Sequence, residues 1–159
     1  MNPIVGLPEP LLLGLHALGE LGEKPGRCLT TAEIATQIGT TEPHLSKVLQ
    51  RLAKGGFIKA LRGPGGGYVL CCDLDKTQIA PIFELLGRNF RPSGCELGCN
   101  KQPCFITSML DELSRAMYDY LGATSIRQFI YFYQNSGEVS IDITVTPKTE
   151  YKSKLKANN

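Results

Sequence analysis

Three cysteines fall within the eleven residues GCELGCNKQPC, Gly94 to Cys104. Cys95, Cys99 and Cys104 are spaced C-x3-C-x4-C among Gly94, Gly98 and Pro103, which favour an irregular loop over a helix or strand. Three soft thiolates on one loop suit an iron-sulfur cluster or zinc, and either metal needs one more ligand from elsewhere. Single-loop zinc sites usually come as paired C-x2-C units, which this spacing is not. A disulfide between two of the three would make the loop a thiol switch. Cys28, Cys71 and Cys72 are scattered and suggest no secreted disulfide framework, so a reducing compartment is expected. No C-x-x-C redox pair occurs, and neither His16 nor His44 sits in a nucleophile motif, so an enzyme is not expected.

The elements that must position this loop are legible on either side of it. The 159 residues fit one domain plus an oligomerisation element. No apolar run reaches membrane-spanning length, and the first residues lack a basic leader and are broken by Pro3, Pro8, Pro10 and Gly14. A cytoplasmic protein without a membrane partner or small-molecule substrate is the expectation. The net charge of +2 is unevenly spread: from Thr41 to Cys72, Lys47, Arg51, Lys54, Lys59 and Arg62 face only Glu42. A basic region on a near-neutral remainder is the footprint of a nucleic-acid face.

Leu11, Leu12, Leu15, Leu18 and Leu21 predict a first helix from Pro10 to Leu21. Thr30-Thr31-Ala32-Glu33 is a capping box opening a second helix that ends at Gly39. Thr41 is expected to cap a third helix, with Pro43 in its first turn and Leu45, Val48, Leu49 and Leu52 facing the core. Strands are predicted at Phe57 to Leu61 and Tyr68 to Cys72, joined by the exposed loop Arg62 to Gly67. Two helices across a tight turn followed by a hairpin are a winged helix-turn-helix. The third helix then offers Glu42, His44, Ser46 and Lys47 to base edges or phosphates, with Arg51 and Lys59 toward phosphate. At the wing tip Arg62 is placed for a minor groove, where Gly65 and Gly66 permit close approach. The bland alternative for any one lysine is a solvated charge. The glycine loop lacks the Lys-Ser/Thr and helix that nucleotide binding requires.

A fourth helix is predicted from Thr77 to Leu86. After the cysteines, Phe105, Ile106, Met109, Leu110, Leu113, Met117, Tyr120 and Leu121 recur at three- and four-residue steps along a long helix whose apolar seam calls for a two-fold partner. A further helix starts at Thr124-Ser125 and runs to about Asn135. Val139, Ile141, Ile143 and Val145 alternate like a strand in the tail. The chain thus divides into a winged helix-turn-helix domain at 1–90, a cysteine loop at 91–104, dimerisation helices at 105–135 and a tail at 136–159. The fold class expected is mainly α with a small β-hairpin wing.

The strings LTTAEIATQIG, HLSKVLQRLAKGGFI and RGPGGGYVL, followed by a helix, three close cysteines and a long helix, resemble the Rrf2 family of bacterial winged-helix regulators. The resemblance spans about Leu12 to Phe132. The family includes an iron-sulfur cluster regulator, a nitric-oxide-sensing repressor and a cysteine-metabolism repressor. It implies a homodimer joined through the long helix, a double-stranded DNA operator, and, for members with three cysteines, an iron-sulfur cluster of the 2Fe-2S or 4Fe-4S type on Cys95, Cys99 and Cys104. Repression is the expected sign of regulation. Relatives usually space the cysteines more widely, and one mode of completing the site uses a histidine where Thr107 stands here. Others take a carboxylate or histidine near the start of the partner protomer's first helix; Glu9 aligns with that position, and His16 is the other candidate. A protein-interaction module that has kept the winged helix and lost DNA binding is the competing reading.

Overall fold

The computed structural model describes residues 7–87 and 105–135. The three cysteines of the loop and the alternating stretch of the tail lie outside the described residues.

Helix α1 (Glu9–Glu23) is the hub, packing against most of the other described elements and burying Leu11, Ala17, Leu18 and Leu21. Pro10 sits in its first turn, where the missing N–H has no intrahelical partner to lose. Glycine lets a neighbour come unusually close at Gly19, where an added Cβ would stand 2.5 Å from the Tyr133 ring.

Helix α2 (Thr31–Ile38) has the predicted capping box: Thr30 Oγ1 accepts from the Glu33 N–H at 3.1 Å, and the Glu33 carboxylate accepts from the Thr30 N–H at 2.7 Å. That N–H and the Thr30 hydroxyl, which donates to the same carboxylate at 2.9 Å, hold the Glu33 carboxyl below the usual carboxylate range. Gly39, in the left-handed region, ends the helix and turns the chain into α3 (Glu42–Lys54). Here one expectation is corrected. Thr41 is extended but makes no side-chain cap. A cap side chain bonds the N–H of the second or third helical residue, and the second is Pro43, which has none. Leu45, Val48, Leu49 and Leu52 are buried as their spacing predicted.

The wing is an antiparallel pair, β1 (Ile58–Leu61) and β2 (Gly67–Leu70), in the register Ile58↔Leu70 to Leu61↔Gly67. β1 starts one residue later and β2 ends two residues earlier than expected: the Cys71 N–H still donates to the Phe57 carbonyl at 3.2 Å, but the Phe57 N–H is spent on the Leu52 carbonyl at 3.1 Å, which leaves that pair incomplete. Outside this ladder Leu29 bridges to β2, exchanging both backbone bonds with Tyr68 at 3.0 and 2.7 Å.

Helix α4 (Ala80–Leu86) starts later than its apolar pattern suggested. Thr77 to Ile79 is instead paired with the corner between α5 (Phe105–Ala123) and α6 (Ile126–Gln134): Ile126 N–H donates to Thr77 at 2.9 Å and Ile79 N–H to Thr124 at 3.0 Å. Arg127 clamps the same seam onto Asp75, with one N–H···O distance of 2.8 Å, and lowers that carboxyl's pKa. Ser125 and Gln128 form a second capping box at the start of α6. Much of the apolar seam of α5 is exposed among the described residues, at Ile106, Met109 and Leu113, and Leu121 is its buried residue.

Candidate nucleic-acid interface

Burial of Leu45, Val48, Leu49 and Leu52 fixes the roll of α3 about its axis. Opposite that stripe, Pro43, Lys47, Gln50 and Lys54 are exposed at steps of four, three and four residues. Ser46 lies beside this strip, half-buried, with its hydroxyl 3.4 Å from the Gln50 amide nitrogen. Glu42 is exposed in the first turn, where a carboxylate complements the helix dipole. Of the residues expected on this face, Lys47 lies on the outward strip with Ser46 beside it, and Glu42 stands at the helix start.

His44 and Arg51 lie on the flank of the strip and share a cleft with Lys47. His44 Nδ1 lies 3.8 Å from Glu9 Oε1. The Arg51 guanidinium donates to the Leu85 carbonyl, one of the last four of α4, which have no intrahelical partner. Between these two tethers lies an open cleft of about 330 Å³ lined by Glu9, Pro10, Leu13, His44, Lys47, Val48 and Arg51. A guanidinium has five N–H donors, so Arg51 keeps capacity for a phosphate, but its direction is set by α4.

The wing carries Lys59 and Arg62, both exposed. Gly65 has φ +76°, and Gly66 donates its N–H to the Gly63 carbonyl at 2.8 Å, which tightens the tip. Position is fixed at the root. A Cβ on Gly67 would stand 2.3 Å from the Leu29 carbonyl oxygen and 2.9 Å from the Thr30 nitrogen, so the wing lies directly on the N-terminus of α2.

The two candidate metal ligands on α1 differ. Glu9 is an exposed carboxylate. His16 has a partner in its own chain: its Nδ1 is 3.3 Å from the Tyr133 hydroxyl and its ring meets Tyr133 edge-on at 5.6 Å. Since that hydroxyl donates to Glu20 at 2.7 Å, its oxygen accepts from His16 Nδ1–H. Burial and the Glu20 carboxylate push the Tyr133 pKa up. Cys95, Cys99 and Cys104 lie outside the described residues, among which no group of three or more His, Cys, Asp or Glu could hold a metal. Cys28, Cys71 and Cys72 form no disulfide, and burial raises the Cys72 thiol pKa.

Sequence reasoning passed over Gln50 and the Leu85 carbonyl. Gln50 was findable, standing three residues after Lys47; a backbone acceptor contributed by another helix leaves no trace in residue type.

A helix pair across a left-handed glycine turn, with a wing seated on the first of the two, defines a winged helix-turn-helix protein. Comparison with known proteins narrows the class. Residues 10–131 match the family described as "Rrf2: Iron-dependent Transcriptional regulator". A candidate HTH-type transcriptional regulator of Aquifex aeolicus is 31% identical over 122 residues, 73% of this chain and 85% of that one. T. potens IscR superposes with a TM-score of 0.64 at 19% identity, covering 87% of this chain and 95% of that one. CymR (YrzC), the global cysteine regulator of B. subtilis, gives 0.68 at 22% identity, covering 81% and 98%. At these identities the two structures share the fold. The chain belongs to the Rrf2 family, whose members are DNA-binding transcriptional regulators and not enzymes. No described helix is long and apolar enough to cross a membrane.

Proposed function

We propose that this chain is a homodimeric, cytoplasmic regulator whose DNA binding is set by an iron-sulfur cluster on Cys95, Cys99 and Cys104, with the partner's Glu9 as fourth ligand. The observation that carries this reading is the match to an iron-dependent family in a chain with three thiols between its reading head and its long helix. The donor set fits. Three thiolates are ligands that iron-sulfur clusters take, Glu9 is solvent-exposed, and His16 is already bonded to Tyr133. When bound, such a cluster supplies a thiolate-held centre sensitive to oxygen, nitric oxide and thiol oxidation.

Within the chain, α1 packs along α3, so a ligand taken by Glu9 acts beside His44, Lys47 and Arg51. A signal shifts the DNA-fitting population only through a difference in binding energy between two arrangements of the dimer. The exposed apolar seam of α5 supports a second copy as its cover. On the operator, Ser46 and Lys47 reach base edges with Glu42 beside them; His44, Arg51 and Lys59 meet phosphates; Arg62 enters the minor groove, which Gly65 and Gly66 approach closely.

Iron and sulfide analysis of anaerobically isolated protein, paired with DNA binding before and after cluster removal, tests this. The expected result is brown protein with a visible spectrum, a DNA affinity that changes on cluster loss, and a spectrum or cluster lifetime altered by Glu9→Ala. Colourless, zinc-bearing protein would make the loop a structural staple. Metal-free protein with two of the three cysteines bridged would make it a thiol switch.

A further inference from the structure

The roll of α3 exposes a residue that neither charge nor motif singled out. Gln50 stands on the outward strip, one turn after Lys47 and one turn before Lys54. Its Nε2 is 3.4 Å from Ser46 Oγ. With one amide hydrogen spent on Ser46, the exposed Gln50 side chain keeps a second hydrogen and Oε1, a donor and an acceptor on one amide. That pair matches the major-groove edge of adenine, which offers the N7 acceptor beside the N6–H donor. The flanking lysines suit phosphates on either side of the contact. Neighbouring candidates are drawn elsewhere: Arg51 is held by the Leu85 carbonyl and His44 lies beside Glu9, both off the strip.

We propose that Gln50 reads an adenine in the operator and that Ser46 orients its amide. The inference rests on α3 being the helix that enters the major groove. It gives Ser46 a positioning role in place of, or in addition to, a base contact of its own. Because Gln50 is exposed and outside the core, its replacement leaves the fold intact.

The test selects binding sites from a randomised DNA duplex library with the full-length wild type, Gln50→Ala, Gln50→Glu and Ser46→Ala, with thermal unfolding confirming that each variant folds. The wild type is expected to select adenine at one position, or at a symmetric pair. Gln50→Ala should lose that preference by about tenfold or more, as expected for removal of a bidentate base contact, while keeping the rest of the selected site. Gln50→Glu should move the preference toward cytosine, whose N4 is a donor. Ser46→Ala should weaken the adenine preference without replacing it. A selected site identical to wild type with Gln50→Ala, whether affinity is unchanged or uniformly reduced, overturns the proposal. A wild type that selects no sequence overturns the placement of α3 in the groove.

Discussion

Arg51 shows how one side chain can serve two demands. Its sequence position, three residues before Lys54 at the end of a basic helix, reads as a phosphate contact. Its guanidinium satisfies a carbonyl of α4 that has no partner within the helix. A hydrogen bond to a charged group contributes about 1.5–3 kcal/mol, and an acceptor left without its donor is a further cost. Arg51→Ala is therefore expected to destabilise the protein by about 2 kcal/mol in denaturant unfolding, and Arg51→Lys to recover only part of that, since an ammonium lacks the fork. A residue serving phosphate alone would leave unfolding unmoved and change only the salt dependence of DNA binding.

Among the elements, the wing depends most on a single backbone position. Gly67 lies at φ +155° against the Leu29 carbonyl and the Thr30 nitrogen, the residue that caps α2. Gly67→Val must push the wing off that seat or displace the cap. Losing an N-cap alone costs about 1 kcal/mol, so the expected outcome is a lower melting temperature together with weaker DNA binding at unchanged oligomeric state. Apolar periodicity sufficed to find α1, α3, α5 and α6, and Thr30-x-x-Glu33 to place the start of α2. It failed where backbone is committed elsewhere. Thr77 to Ile79 reads as helix but pairs with the α5–α6 corner, and Thr41 reads as a cap but Pro43 removes one of its targets. Of the candidate interface, residue type indicated the cations and the acid; which of them share a face depended on packing of α1 and α4 against α3, to which no local pattern points.

At the scale of the molecule, α5 is a helix with an apolar seam that remains exposed among the described residues. Met109 is 42% exposed and Leu113 is 44% exposed, while the far end of the helix is anchored through Leu121. A carboxylate at Leu113 is already well placed for solvent in a single chain, but is unpaired and desolvated if a second α5 lies on it. Leu113→Glu is thus expected to give a folded monomer in analytical ultracentrifugation, with DNA affinity reduced by about a hundredfold or more through loss of the second binding head. A variant that stays dimeric would place the two-fold contact on another surface.

The corner between α5 and α6 is bonded into Thr77 to Ile79, just beyond the wing, and Arg127 clasps Asp75 across the same seam. In a dimer joined through α5, each wing would therefore inherit its azimuth from that helix. Two such heads approach one face of a duplex only when their targets are in helical phase, about 10.5 base pairs or a multiple apart. A spacer altered by about half a turn would turn one target to the far side, however well every base in it were matched.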